Sequence, residues 1–549
     1  MYILGVNGGV RIGYQDISAT LMKDGKVLFA IEEERLNRIK FSPGQLPELA
    51  IEECLKQANI SIRDIDIVAS HGSTWGDEYA QKLTNYFLYT FGFCPKLEFV
   101  HHHDSHSSSA FYASGFNQAM VISIDASGDS VSTQLSVGKG NSMELFKRYY
   151  RPNSLGIYYS LFTQFCGFRR DSDEYKLMGL SAYGNRNKYD MSHILNFDNG
   201  ELLLNEKYMK SIPKGESQPT RQEMAFSDLL LQEFGSKRLK HEPFDQRFKD
   251  VAASTQAQLE NTIIEMVHYF YRETGIRKIC FAGGVALNCL VNQKVMNLDF
   301  IDDIYVQPAS SDAGISMGAA MYVASKNGFK IEPITSALLG MEFTNEEIKK
   351  TLDDIGVDYL EIKNPSKTAA ELVSQNKIIG WFQGRMEFGP RALGARSILA
   401  NPAMPDVKNV INAKIKYRES YRPFCPSVVE EESSNYFIGK APISPFMNIT
   451  FDVKEEMKAV IPGVVHADGT ARIQTVSKNN NPIYYEFLIE LKKLTGHPVS
   501  VNTSFNTNNE PIVASPSDAI ASFYRSGLDA LVIGNFLLTK RNTKNPDYS

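Results

Sequence analysis

Cysteine is scarce in this 549-residue chain. Six thiols, Cys54, Cys94, Cys166, Cys280, Cys289 and Cys425, lie scattered without a CxxC pair. That excludes a disulfide framework and leads us to expect a reduced, cytoplasmic protein. Long apolar runs are missing too: none approaches the roughly 18 to 20 residues that span a bilayer, so no membrane partner is expected. The first residues meet glycine after a short apolar stretch with no basic segment before it, which reads as a first strand and not an export signal. Excess positive charge is lacking, with 58 Lys and Arg against 63 Asp and Glu and a net charge of −5. A globally basic nucleic-acid binder is thereby excluded. The composition, 43% hydrophobic and 22% charged, is that of a globular protein. At about 150 residues per domain, two to four units are expected.

Residues 2–7 (YILGVN), 18–22 and 26–31 read as strands, the last two joined by the KDG turn at 23–25 and leading to a helix near Glu32. A second strand, 120–125, is followed by Gly128 and another strand at 132–137. Two strand-glycine-strand units, each with an acidic residue near the turn (Asp16, Asp125), predict a duplicated α/β fold. A third glycine element, KICFAGGVALN (278–288), is a buried strand running into Gly283, Gly284 and Asn288, followed by strand 304–307, the loop PASSDAG and a helix from Ile315. This order resembles actin, hexokinase and the heat-shock ATPases, in which such turns face phosphate oxygens. The charged helical stretch NEEIKKTLDDIG precedes a strand at 377–382 and marks a boundary. We therefore expect an N-terminal domain over 1–340, a linker over 341–365 and a C-terminal domain over 366–549.

Four of the ten histidines stand in VHHHDSH, and His102 and His106 fall at i, i+4 on one helical face, a spacing that suits two imidazoles on one metal ion. The strand-end and loop carboxylates Asp125 and Asp312 are the candidates to complete the set. A second dense segment, residues 381–427, holds eight basic residues against three acids. Local positive charge on an acidic chain points to a small polyanion, because guanidinium forks grip phosphate bidentately. Arg385, Arg391, Arg396, Lys416 and Arg422 are its candidates, while Ser397 and the glycines at 384, 389 and 394 permit close backbone approach. Further on, NTSFN (502–506) ends a buried strand in amide and hydroxyl groups.

These strings in order resemble the O-carbamoyltransferase family of NodU, CmcH and TobZ type over nearly the whole chain. The marks are ILGVN with EEERLNRIK (32–40), HHDSHSSSAF, SIDASGD, SLGIYYSLFTQFCGF, DEYKLMGLSAYG, GGVALN, the arginine block, DGTARIQTV and NTSFN. The resemblance implies an actin-like ATPase domain (duplicated RNase H-like), similar to the metal-containing domain of the universal tRNA threonylcarbamoyl transferase, followed by a YrdC-like α/β domain. It also implies that carbamoyl phosphate and ATP, with Mg(II), give carbamoyl-adenylate in the second domain, and that the carbamoyl group then passes to an acceptor hydroxyl in the first. Arg391, Lys416, Arg422, Arg472, Asn502 and Ser504 match family positions that hold ATP and the carbamoyl donor. The implied metal is Fe(II), with Zn(II) or Mn(II) open. The implied partners are small molecules, with a homodimer as an open option and no nucleic acid.

One departure stands out. Family members read HDASA after the first strand, whereas residues 14–18 here are YQDIS, with Gln15 in the histidine's place. Glutamine cannot accept a proton near neutral pH. Either Asp16 or a metal-bound water is the base, or the acceptor needs none, or transfer is impaired; a relocated base is the expectation, with Gln15, Glu174 and Lys176 at the acceptor pocket. Three rival readings are an actin-like kinase or ATPase, a tRNA threonylcarbamoyl transferase and a non-catalytic assembly protein.

Overall fold

A strand covered by helices on both faces reads as one continuous apolar run, because every side chain is out of water. Such runs organise the N-terminal part of the computed structural model, which describes residues 1–9, 16–210, 224–440 and 442–540. Strands β1 (Tyr2–Asn7), β2 (Ser18–Lys23), β3 (Lys26–Glu32), β4 (Ile67–His71) and β5 (Lys96–Val100) form one sheet in the order β3-β2-β1-β4-β5. The first three form an antiparallel meander, and β1, β4 and β5 run parallel. Strands β6 (Gln118–Gly128), β7 (Val131–Lys139), β8 (Ser142–Tyr150), β9 (Lys278–Ala282) and β10 (Asp303–Val306) repeat the pattern in the order β8-β7-β6-β9-β10, with the same directions. The duplicated, actin-like fold is thus present. The two acidic residues taken as its internal match do not correspond: Asp16 precedes β2, whereas Asp125 lies inside β6.

Each half ends in a helix after its last parallel strand: α1 (His102–Ser114) after β5, and α2 (Ile315–Lys326) after β10. The two pack on one another, and α2 also packs on β1. Contact is at backbone distance: a Cβ on Gly318 would lie 1.8 Å from the Ser105 carbonyl oxygen, and one on Gly5 would lie 1.9 Å from that of Ser316. Helix α1 is buried on almost every side despite its serines and histidines, as a helix held between layers must be. Its start, like that of α2, stands at the carboxyl ends of parallel strands, where α/β sheets bind ligands.

Two compact units make up the chain: one takes residues 1–37, 41–334 and 448–450, the other residues 38–40, 335–447 and the chain from 451 on. The second unit holds an eight-stranded mixed sheet of β11 (Leu360–Glu361), β12 (Ile379–Phe382), β13 (Arg396–Ala400), β14 (Cys425–Val429), β15 (Gln474–Val476), β16 (Val499–Ser504), β17 (Ala530–Ile533) and β18 (Phe536–Thr539), in the order β11-β18-β17-β12-β13-β16-β14-β15. Its core gathers Trp381, Leu399, Val532 and, from helix 482–495, Tyr484, Phe487 and Leu488. Each such side chain contributes roughly 1.5 to 3 kcal/mol on burial.

The expected linker over 341–365 is corrected here. It carries helix Asn345–Ile355, opened by a capping box between Thr344 and Glu347, and strand β11, which pairs with β18. It therefore belongs to the second unit, and the chain crosses over between Ile334 and Thr335. No helix among the described residues is long and apolar enough to cross a membrane.

Candidate functional site

The four histidines of VHHHDSH separate by role once α1 is formed. His101 is the N-cap, its Nδ1 accepting the N–H of His103 at 3.2 Å. His103 is a satisfied core residue, with Nδ1 2.7 Å from Ser123 Oγ and Nε2 3.0 Å from the Val131 carbonyl oxygen. His102 and His106, one turn apart, instead turn Nε2 toward two carboxylates. The four nitrogen-to-oxygen distances are 3.4 Å and 3.7 Å from His102 to Asp125 and Asp312, and 3.2 Å and 3.4 Å from His106 to the same pair. Asp125 comes from β6 and Asp312 from the turn before α2, and the four donor atoms lie within 4.8 Å of one another.

These distances are long for charge-assisted hydrogen bonds, which run at about 2.7 to 2.9 Å. They fit the edges of a coordination tetrahedron, since ligands about 2.1 Å from an ion stand about 3.4 Å from each other. Electrostatics agree. Burial lowers His106, but hydrogen bonds to Asp125 and Asp312 outweigh it and raise the imidazole to about 9. Burial raises Asp125, yet the two imidazoles hold it well below the usual carboxylate range. Two half-buried carboxylates against two buried imidazoles favour compensating positive charge, and a divalent ion can take the place of the imidazole proton.

The surroundings fix these side chains. A Cβ on Gly128 would stand 1.9 Å from His102 Cδ2, so only glycine admits that ring. Asp129 accepts the backbone N–H of His102 at 2.9 Å and the hydroxyl of Thr74 at 2.5 Å, holding the first turn of α1. A Cβ on Gly283 would lie 2.2 Å from the Ile124 carbonyl oxygen and one on Gly284 would lie 3.2 Å from Asp125 Oδ1, so both glycines adjoin the carboxylate strand. Asn288, expected to bind nucleotide, is spent elsewhere: it caps helix 289–296 and exchanges hydrogen bonds with Gln256.

Asp16 takes a left-handed backbone, φ 59°, with its carbonyl accepting from Asn7 Nδ2 at 2.8 Å. Gln15 lies outside the described residues. Glu174 accepts from Ser160 Oγ at 3.0 Å and the Asp171 N–H at 2.6 Å; burial and the neighbouring Asp171 push it up to about 7. Lys176 pairs with Asp173 at 3.4 Å.

In the second unit Lys416 ends a helical turn and is buried, its Nζ donating to the Ser504 carbonyl at 2.5 Å and to Asn506 Oδ1 at 2.7 Å. Burial, with Arg418 and Arg422 nearby, takes it well below the usual lysine range. Arg472 directs Nε and Nη2 at Cys425 Sγ, 3.2 and 3.0 Å away. His466, lowered to about 4 chiefly by burial, also feels Arg472 and Lys408. Lys416, Arg422 and Ser504 are therefore brought together, as expected. Such a group of cations answers a polyanion.

Other expected ligands make bonds within the protein. Arg396 is fully buried, with Nη1 on the carbonyls of Gln383, Gly384 and Ala395 and Nη2 on that of Met341, and it lies 3.6 Å over the Phe382 ring. Arg385 bonds the carbonyls of Leu339 and Gly340. Asn502 Nδ2 bonds Ala392 O, Ser427 Oγ and Gln474 Oε1, and Ser397 Oγ accepts from the Gly394 N–H. These four side chains bond backbone or core groups.

Residues 74–321 match the family profile described as Carbamoyltransferase N-terminus, and residues 370–540 match Carbamoyltransferase C-terminus. The chain belongs to the carbamoyltransferase family. Nodulation protein NolNO of Sinorhizobium fredii (strain NGR234) is 36% identical, covering 100% of this chain and 84% of its own length. Nodulation protein NolO of Bradyrhizobium diazoefficiens (strain USDA 110) is 39% identical over 82% of this chain and 80% of its own. Among solved structures, HypF of T. kodakarensis aligns with 60% of this chain and 48% of its own, at 13% identity and a TM-score of 0.34, a likeness too loose to carry any assignment. As a carbamoyltransferase the protein is an enzyme of carbamoyl transfer. Site features not named individually from the sequence are Asp129, Arg418, His466 and Asn506. Arg418 had a signal in the basic run and Asn506 in the polar loop NTSFN, whereas His466 is brought near Arg472 and Lys408 by the fold.

Proposed function

We propose that the protein is an ATP-dependent O-carbamoyltransferase working in two stages. In the second unit, water releases phosphate from carbamoyl phosphate, a carbamate oxygen attacks the α-phosphorus of ATP, and pyrophosphate leaves. Lys416, Arg418, Arg422, Arg472 and Arg391 offset the charge that gathers there, with Mg(II) on the nucleotide. In the first unit, the hydroxyl oxygen of a small acceptor attacks the carbamoyl carbon, AMP leaves, and the hydroxyl proton goes to a base, for which Asp16 is the candidate. His102, His106, Asp125 and Asp312 would hold a divalent ion, Fe(II) ahead of Zn(II) or Mn(II), supplying Lewis acidity toward a carbonyl or phosphate oxygen. Six free cysteines fit a reducing, cytoplasmic setting.

The observation that carries this reading is that each family domain bears its own chemistry: a four-donor His and Asp set in one, and in the other the half-buried Arg418 and Arg422 beside the buried Lys416. The test is carbamoyl-phosphate-dependent exchange of labelled pyrophosphate into ATP without any acceptor, followed by mass spectrometry of a panel of alcohols. Exchange plus a 43-dalton gain on one alcohol is expected from replacing a hydroxyl proton by a carbamoyl group, about +43 by its composition. Absence of exchange would overturn the adenylate stage, and exchange with no carbamoylated product across sugars and polyols would overturn the acceptor class.

A further inference from the structure

The loop that carries Arg391 runs from Phe382 at the end of β12 to Arg396 at the start of β13, and its buried flanks leave only Pro390 exposed at the tip, with Arg391 half-buried beside it. Two buried side chains of opposite charge bond nothing but backbone at its base. Arg396 collects carbonyls, as described above. Glu387, 2% exposed, collects N–H groups: its Oε1 accepts from Leu393 at 2.8 Å, Ala395 at 2.7 Å and Arg396 at 3.0 Å. Two carbonyls of this stretch are held by side chains, that of Leu393 by Gln474 and that of Gly394 by Trp381 Nε1 at 2.9 Å.

A carboxylate is costly to bury, and Oε2 of Glu387 has no hydrogen-bond partner among the described residues. A charge kept in such a place is explained by what its other oxygen does. Three N–H groups converging on one anionic oxygen make a rigid clasp, because charge-assisted bonds are about twice as strong as neutral ones. Resting on the adenylate reading above, we propose that Glu387 is a positioning residue of the carbamoyltransferase: by clasping the 393–396 backbone it fixes the loop on which Arg391 meets the phosphates of ATP or carbamoyl phosphate.

Trp381, one of two tryptophans, reports on the same loop through its bond to Gly394, so the structural and catalytic arms of the test are separable. In a Trp75→Phe background, Trp381 fluorescence and its acrylamide quenching would be recorded for the full chain and for Glu387→Ala and Glu387→Gln. Pyrophosphate exchange would be measured on the same proteins. Glu387→Gln keeps one carbonyl oxygen for the clasp; Glu387→Ala does not. The expected result is a more quenchable Trp381 and a KM for carbamoyl phosphate or ATP raised about tenfold or more in the alanine variant, with the glutamine variant returning most of both. Thermal unfolding would verify that the alanine variant is still folded; if it is not, the glutamine variant and Glu387→Asp, whose shorter reach should give intermediate values, carry the test. Unchanged quenching and unchanged KM in the alanine variant would overturn the proposal, as would equal loss in alanine and glutamine variants. If the parent protein itself showed no exchange, the adenylate reading would fall on its own, while the quenching arm would still decide whether Glu387 holds the loop.

Discussion

The two chemistries of this carbamoyltransferase are positioned by different means. In the first unit the four candidate donor atoms stand on or beside regular elements: two come from consecutive turns of α1, one from inside β6 and one from the turn into α2. Helix pitch and strand register do the placing. In the second unit Arg391, Arg418 and Arg422 stand on loops, Lys416 ends a helical turn and Arg472 ends a three-residue strand, and side chains bond the backbone around them, as Arg396, Glu387 and Asn502 show. A site on regular elements shows itself as spacing; a site on loops mixes the groups that meet substrate with those that hold the loops.

The sharpest break between the two should come from Lys416→Ala. It removes the buried amine that bonds Ser504 and Asn506 and leaves both facing a void, a truncation costing roughly 2 to 5 kcal/mol, or about 30- to several-thousand-fold in pyrophosphate exchange. Metal content, measured by elemental analysis, should not change. The converse is His106→Ala, which should strip the ion and stop carbamoyl transfer while exchange continues; full metal occupancy in that variant would refute the ligand set. Smaller in effect is Gly128→Ala, whose methyl must displace the His102 ring. A 10- to 100-fold loss of metal affinity by chelator competition is expected, of the order seen for groups that orient ligands.

Smallest is a change that should touch neither chemistry. Glu33 is buried, accepts from the N–H groups of Leu49 and Ala50, and is raised by burial from 4.5 to about 7. A raised carboxyl binds its proton more readily folded than unfolded, so its contribution is fully present below about 4.5 and is lost as pH rises through about 7. Glu33→Gln should therefore flatten the fall in stability between those values and gain on the order of 1 to 3 kcal/mol at pH 8 by denaturant unfolding. A wild-type slope in the variant would contradict this.

Much of the first unit was legible because its physics is local. Buried parallel strands are continuous apolar runs, glycine pairs mark the turns after them, and His102 and His106 share a face by arithmetic alone. Asp125 and Asp312 could be named as candidates, though only the duplicated topology joins them. The second unit was legible as chemistry and not as geometry. The basic block pointed to a polyanion, yet nothing in the residues of Arg396 distinguishes a guanidinium facing carbonyls from one facing phosphate. The segment 341–365 misled for a related reason: NEEIKKTLDDIG has the charge of a solvated connector, and the two-residue strand after it is too short to show any alternation.

The contact of α2 with α1 through Gly318 also sets a tolerance. With the Ser105 carbonyl 1.8 Å from where a methyl would be, and Ser105 between the two histidines, the helices have no slack along the line that joins His106 to Asp312. The bore of the site is gauged by a hydrogen atom. At that crossing the smallest possible enlargement of a side chain would press the helices apart and widen the gap between imidazole and carboxylate.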